Sequence, residues 1–215
     1  PERVWGYTFR RAAGEWAEAT QISAAEAGAA AAFGREVDIS GQTIAVGARK
    51  VELPNGEGDE GAAYVFVRTG TTWSEEAKLV AGDADGAALF GSSVALSGDT
   101  ALFGALGDGQ AGYNAGAAYV FSRNASSWTE EAKLMAHDAE DGAFFGSSVA
   151  LSLDTAVVAA PQAVSNELAA TYVFARDASG WAEQLVLVAS NPNVHLGTAV
   201  AVEFHVGDAG ALRRA

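Results

Sequence analysis

YVFVRTGTTWSEE, residues 64–76, contains a spacing of aromatic and charged residues that occurs four times in this chain. The pattern is Y-x-F-x-R-x(4)-W-x-E, and in this stretch it consists of Tyr64, Phe66, Arg68, Trp73 and Glu75. The next copy consists of Tyr119, Phe121, Arg123, Trp128 and Glu130. The other two begin at Tyr7 and Tyr172, so that successive tyrosines are 57, 55 and 53 residues apart. Self-similarity at such a period indicates an array of supersecondary units.

A Phe-Gly pair follows each of the first three repeat tryptophans at a distance of 17 residues. In the clearest copy the pair opens the stretch FGSSVALSGDTALFGA, residues 90–105, whereas the fourth copy reads Leu196-Gly197 and comes two residues early. Together the two blocks predict four short strands in the clearest repeat, at residues 93–97, 100–105, 117–123 and 128–136. Such units are typical of propeller blades, whose faces are buried only when blades stack. We therefore predict an all-β fold, a β-propeller.

The position of the chain ends within the repeat predicts how the ring closes. The chain begins with the third and fourth strands of a repeat and ends shortly after a first strand. We expect a single domain of four blades over residues 1–215, whose N- and C-terminal halves complete one blade and leave no free edge. The predicted units are residues 1–32 as one half, then 33–89, 90–144 and 145–195, and finally 196–215 as the other half. Because the last segment is a weak strand sequence, a piece of a longer propeller is the alternative.

Charge and cysteine content exclude several classes of function. The 27 acidic and 13 basic residues give a net charge of −14, which would repel a phosphate backbone, so we expect no nucleic-acid partner. The sequence has no Cys, and this removes disulfides and thiolate metal sites. No apolar run is long enough to span a bilayer, so we expect no direct membrane insertion.

The stretch at residues 90–105, with GAAYVF at residues 116–121 and the W-x-E-x-A-K-L spacing that follows, closely resembles the FG-GAP repeat. This repeat is the unit of integrin alpha-chain head propellers and of many bacterial and protist surface proteins. The resemblance covers nearly the whole chain. It implies blades of the FG-GAP type and a use in cell adhesion or assembly, outside the cell or on its surface after secretion or organelle targeting.

One departure from the integrin-type repeat concerns calcium. Those repeats often carry an Asp-rich calcium loop between their first and second strands, and this loop is missing here. The matching positions, residues 41–42, 98–99 and 153–154, fit two-residue hairpin turns that are too short to wrap a calcium ion. Calcium binding is therefore not transferred to these positions, and we expect no cofactor there.

The repeated aromatic and charged residues could form a ligand-binding box or a structural cluster. If residues 69–72 form a simple turn, Trp73 lies opposite Arg68, and the guanidinium stacks on the indole with Glu75 on the same face. Because the same set recurs in every copy, we interpret it as a structural cluster that pins the hairpin.

The loops between second and third strands and between successive repeats differ most from copy to copy, and they are acidic. In a meander these loops leave the sheets on one rim. They could recruit calcium, bind a basic partner or keep the protein soluble. The least unsuitable calcium ligands are Asp83, Asp85, Asp138 and Asp141.

Two further groups of residues suggest weaker sites. Asn124 begins an N-A-S sequon in a predicted turn, which becomes a glycosylation site if the chain enters a glycosylating compartment. The histidines, His137, His195 and His205, lack the spacing of a metal or catalytic site.

These features predict a non-catalytic interaction module, with no catalytic residues, that presents variable rim loops to a protein or glycan partner. The first alternative is an accessory or scaffolding subunit of a larger complex, which a broad exposed apolar patch would indicate. The second is an enzyme that uses the propeller channel, and this requires convergent polar groups on the inner strands. The inner segments REVDIS, residues 35–40, and SSVALS, residues 92–97 and 147–152, offer few such groups.

Overall fold

The computed structural model describes residues 5–12, 14–24, 26–28, 31–54, 56, 58–84, 86–162, 168–190 and 196–203. The strands are β1 (Gly6–Ala12), β2 (Glu15–Ile22), β3 (Val37–Ser40), β4 (Thr43–Ala48), β5 (Ala62–Thr69), β6 (Thr72–Leu79), β7 (Phe90–Ser97), β8 (Thr100–Ala105), β9 (Ala117–Asn124), β10 (Ser127–Leu134), β11 (Ser148–Ser152), β12 (Thr155–Ala160), β13 (Ala170–Asp177) and β14 (Gly180–Val188). Within these ranges no helix is long and apolar enough to cross a membrane.

The strands form four antiparallel sheets that follow the predicted repeats. We name them the half-blade (β1–β2), the first blade (β3–β6), the second blade (β7–β10) and the third blade (β11–β14). Each four-stranded sheet is a meander in chain order, which confirms the predicted all-β propeller fold. Arg68 pairs with Trp73 and Arg123 with Trp128, as the turn length predicted.

The first and second strands of each complete blade are joined by two-residue turns at the predicted positions. Gly41 and Gly98 each have a φ of 59° in these turns, and Leu153 has a φ of 51° in the third. A left-handed conformation costs a residue with a Cβ about 1–2 kcal/mol. The third turn is therefore strained, whereas glycine relieves the other two.

The core lies between blades rather than inside any one of them. The buried Tyr119 and Phe121 of the second blade share a hydrophobic cluster with Val65 and Leu79 of the first. Tyr172 of the third blade shares the next cluster with strands β8–β10 of the second. Each sheet thus buries its tyrosine face against the preceding sheet, and no blade has a core of its own.

Glycines allow the second and third Phe-Gly turns to lie directly against the second strand of the preceding blade. Gly91, with a φ of 82°, lies against Gly47, and Gly146, with a φ of 85°, lies against Gly104. A Cβ on Gly104 would overlap the carbonyl oxygen of Gly146, so the two backbones approach this closely only at glycine. The repetition of both motifs along the chain follows from this contact.

The fourth Phe-Gly equivalent docks on the third blade in the same place. A Cβ on Gly197 would press on Ala159, which stands in β12 where β8 has Gly104. The Val200 N–H donates to Ser148 Oγ at 3.2 Å. The described residues 196–203 contain no strand, and the predicted pairing of the C-terminal segment with the half-blade depends on residues 204–215, which lie outside the described residues.

Candidate functional site

The loops that vary between repeats emerge at one end of the blades, which we name the rim. They are residues 23–36, 49–61, 80–89, 106–116, 135–147 and 161–169, of which the structure describes all but 25, 29, 30, 55, 57, 85 and 163–167. Because every blade is an antiparallel meander, its two tight hairpin turns emerge at the opposite end, which we name the hairpin end. Repeat-specific function is therefore to be sought at the rim.

A cluster of one tyrosine, one lysine and two aspartates fixes the rim of the second blade. Tyr119 Oη lies 2.7 Å from Asp83 Oδ1 and 2.8 Å from Asp108 Oδ2. Lys133 Nζ donates to Asp83 Oδ2 at 2.8 Å and to Asp108 Oδ2 at 2.9 Å. Since the two aspartates belong to different loops, the cluster ties both loops to β9 and β10.

The cluster shifts the pKa values of Tyr119, Asp83 and Lys133. Burial raises the pKa of Tyr119, and its hydrogen bonds to the two aspartates raise it further. Burial acts to raise the pKa of Asp83, but hydrogen bonds from Lys133 and Tyr119 and the lysine charge outweigh it, and the pKa falls below its ordinary value. Burial acts to lower the pKa of Lys133, but the two aspartates outweigh it and raise that pKa. Asp83 and Lys133 are thus both charged at neutral pH.

The neighbouring blades carry incomplete versions of this cluster. Tyr172 Oη donates to Asp138 Oδ1 at 2.8 Å. Tyr64 Oη is buried without a hydrogen-bond partner in the described part of the chain, and burial together with nearby glutamates raises the pKa of Tyr64 to about 12. In the first blade the position of Asp108 is occupied by Val51. Equivalent backbone hydrogen bonds in the two loops show that these residues correspond.

The predicted calcium ligands that the structure describes form hydrogen bonds with separate partners. Asp83 and Asp138 accept hydrogen bonds from the repeat tyrosines, and Asp141 Oδ1 accepts the Tyr113 N–H at 2.9 Å. Asp85 lies outside the described residues. Across the described ranges, no three His, Asp or Glu side chains gather as a metal site would require. Calcium at the rim stays a prediction.

A β-bulge in the fourth strand redirects one side chain toward the next blade. The bulge residues are Ala19, Glu76, Glu131 and Gln184. Glu76 Oε1 of the first blade accepts from Arg123 Nη2 of the second at 2.6 Å, and Glu76 Oε2 accepts from Trp128 Nε1 at 3.0 Å. We name this arrangement of glutamate, arginine and tryptophan the clamp.

The clamp corrects one sequence-based expectation. We expected Glu75 and Glu130 to supply the carboxylate beside the arginine of their own hairpin, but in the second blade the carboxylate comes from Glu76 of the preceding blade. Glu130 instead accepts the Gly82 N–H at 2.8 Å, also across a blade boundary. The β-bulge causes this difference, because its extra residue changes which side chains of the strand point toward the next blade. The carboxylates therefore join blades, while the predicted stacking of the arginine on the tryptophan of its own hairpin is present at Arg68 and Arg176.

The inner segments surround a cavity of about 310 Å³ between the blades. Equivalent valines of the four repeats line it, namely Val37, Val94, Val149 and Val200. Asp38 is the ionisable residue of the lining that the structure describes, and its carboxylate accepts the N–H groups of Ile39 and Leu96, both at 2.7 Å. This carboxylate thus accepts backbone hydrogen bonds from two blades.

The remaining candidates fall at both ends of the blades. Asn124 ends β9 at the hairpin end and is exposed, so a glycosylating enzyme could reach the sequon, which stays a prediction. His137 Nδ1 lies 2.8 Å from Glu183 Oε1 across the second boundary between complete blades. His195 and His205 lie outside the described residues.

Comparison with known proteins identifies the repeat. A family model described as the FG-GAP repeat matches residues 16–66, 73–121 and 128–174, more than half of the chain. Each matched range runs from the tryptophan of one repeat to the second aromatic residue of the next, and so contains one blade boundary. No curated protein matches the chain. The chain belongs to the FG-GAP repeat family.

Proposed function

We propose that this chain is a non-catalytic interaction module, outside the cell or on its surface, that binds a protein or glycan partner through the rim. Propellers of FG-GAP repeats serve as interaction modules. The observation that carries the proposal is Tyr113, a large aromatic side chain that stands exposed on a loop of fixed backbone.

Tyr113 lies in the loop of residues 106–116 and is 76% exposed. Its N–H donates to Asp141 Oδ1 at 2.9 Å, and its carbonyl oxygen accepts the Gly142 N–H at 2.7 Å. The next residue, Asn114, accepts the Phe144 N–H at 3.0 Å. The loop is thus held on both sides of the tyrosine, while the tyrosine itself stays largely exposed to solvent.

An exposed tyrosine on a rigid loop has the properties of an interface anchor. Tyrosine offers a large contact area with few rotatable bonds, so its burial by a partner costs little conformational entropy. Residues of this type are enriched among those that contribute most to binding. The sequence did not single out Tyr113, because it lies between the repeated motifs.

A retention assay with matched variants tests the proposal. The immobilised chain is exposed to extract of its source cells, with calcium or with a chelator, beside the variants Tyr113→Ala and Leu153→Asn. Leu153 is 63% exposed at the hairpin end and serves as the control. Loss of a central aromatic anchor weakens binding about tenfold or more, so Tyr113→Ala is expected to release the partner and Leu153→Asn to keep it.

The proposal fails if Tyr113→Ala retains the partner fully, or if the chain turns over a substrate through its central cavity and retains nothing. The assay with the chelator tests the calcium prediction separately from the proposal that the rim binds a partner. Release on chelation supports a calcium-dependent rim, whereas unchanged retention rules out a calcium-dependent one.

A second candidate function is an accessory or scaffolding subunit, favoured by apolar side chains exposed on the third blade. Leu185, Leu187 and Val188 are 45%, 48% and 47% exposed. Leu134, which occupies the position of Leu187 in the second blade, is only 3% exposed because the third blade covers it. Stoichiometric copurification that survives Tyr113→Ala but is lost on Leu187→Ser would favour this candidate over rim binding.

A further inference from the structure

The clamp occurs twice with the same chemistry. At the second occurrence Glu131 Oε2 of the second blade accepts from Arg176 Nη1 at 3.1 Å, and Glu131 Oε1 accepts from Trp181 Nε1, also at 3.1 Å. In both clamps one carboxylate bridges a guanidinium and an indole N–H across a blade boundary. The repeat therefore builds a carboxylate receptor from an arginine and a tryptophan that face each other on a hairpin.

The first blade has the receptor without the carboxylate. Arg68 lies opposite Trp73, with its guanidinium carbon 5.7 Å from the centroid of the indole ring. The bulge residue that faces them from the half-blade is Ala19, where the two boundaries between complete blades have Glu76 and Glu131. Among the described residues, Arg68 makes no ion pair.

A cleft of about 380 Å³ opens at this position, and Ala19, Arg68 and Trp73 all line it. It lies between the half-blade and the first blade, toward the hairpin end and away from the rim. Where the other clamps have a glutamate side chain, this position thus has open space, and the neighbouring residues have not closed over it.

The rest of the lining suits an acidic side chain. The opposite charges of Arg10 and Glu18 cancel. Arg68 therefore gives the cleft a net positive charge, although the protein as a whole is strongly acidic. The apolar wall includes Phe9 and Val37, which are 58% and 60% exposed. Such a wall can pack the methylene groups of a side chain whose carboxylate reaches the arginine.

We propose that this cleft binds a glutamate or aspartate side chain of a partner polypeptide, whose carboxylate takes the place that Glu76 and Glu131 occupy in the two complete clamps. The cleft selects a carboxylate over an amide because the Arg68 guanidinium has no ion-pair partner in the part of the chain that the structure describes. This surface is separate from the rim and binds independently of Tyr113.

Indole N–H resonances of the 15N-labelled chain give a direct test with internal controls. The probe is acetyl-Ser-Glu-Ala-amide, and the matched probe is acetyl-Ser-Gln-Ala-amide. We expect a saturable shift of the Trp73 indole resonance with the glutamate peptide alone. The Trp128 and Trp181 resonances are expected to stay in place, since their N–H groups already bind Glu76 and Glu131.

Two variants complete the test. Ala19→Glu supplies the carboxylate from within the chain, and Arg68→Gln removes the charge that attracts it, so either variant is expected to abolish the Trp73 shift. The proposal is overturned if Trp73 does not respond, if the glutamine peptide shifts it equally, or if Ala19→Glu still responds to the glutamate peptide. A response to glucuronate without one to the glutamate peptide also overturns it, because the ligand would then be an acidic sugar.

Discussion

Replacing Gly104 by alanine tests whether blades are joined through their backbones. The added Cβ would overlap the Gly146 carbonyl oxygen of the third blade and would also meet Ser93 Oγ. Overpacking of this kind costs about 1–3 kcal/mol. The Ser93 hydroxyl, which donates to the same carbonyl oxygen at 2.8 Å, would lose a hydrogen bond of about 1 kcal/mol. We expect a loss of about 3 kcal/mol in the free energy of unfolding, which lowers Tm by about 6–12 °C in a chain of this size.

Urea titration followed by tryptophan fluorescence measures this loss, and Gly109→Ala is its control. Gly109 lies on an exposed rim loop, and no atom lies within 4 Å of the place that an alanine methyl group would occupy. Alanine there is expected to leave stability unchanged or to raise it by up to about 1 kcal/mol. A loss below about 0.5 kcal/mol for Gly104→Ala, the usual range of a harmless surface change, would refute the proposed role of the contact.

Two further predictions concern strain and charge. Leu153→Gly is expected to raise the free energy of unfolding by about 1 kcal/mol, because it relieves the left-handed turn residue, and an unchanged urea midpoint would contradict this. Lys133→Met is expected to cost about 3 kcal/mol at neutral pH, since the buried Asp108 carboxylate loses its cation, whereas Lys78→Met removes an exposed ion pair worth about 1 kcal/mol or less. The lowered pKa of Asp83 contributes stability above the ordinary value of 3.8, and this stability is lost as the pH falls through the lower folded value. As the pH falls through that value, urea titrations should show the cost of Lys133→Met shrinking by the share that the Asp83 ion pair contributes, and a constant cost would show that this pair contributes nothing.

The hairpins could be predicted because their determinants are local. Four residues separate Arg68 from Trp73, and this spacing fixes which residues pair across the turn. Gly98 and the residue after it mark a two-residue turn in the same way. The period of the repeat then implies stacking, because a single meander exposes two apolar faces.

Contacts between blades could not be predicted in the same way. Glu75 and Glu76 are adjacent and chemically alike, and only the bulge determines which one reaches the next blade. Asp108 lies in a loop without a repeated pattern, and nothing local indicates that it meets Lys133. The recurrence of lysine in the A-K-L spacing of two repeats was the available signal, but its buried partner is visible only in three dimensions.

The repeated side chains join neighbouring blades, and a double-mutant cycle between Arg123 and Glu76 tests this central claim most directly. Single and double alanine variants of this pair are compared by urea titration, beside a parallel cycle between Arg123 and Glu130 of the same hairpin. Because the Arg123 and Glu76 side chains are only 17% and 13% exposed and share a charge-assisted hydrogen bond, we predict a coupling energy of about 1–2 kcal/mol for that pair. We predict coupling below about 0.5 kcal/mol for Arg123 with Glu130. The reverse result, with Arg123 coupled to Glu130 and independent of Glu76, would show that the motif stabilises single hairpins and would contradict the claim.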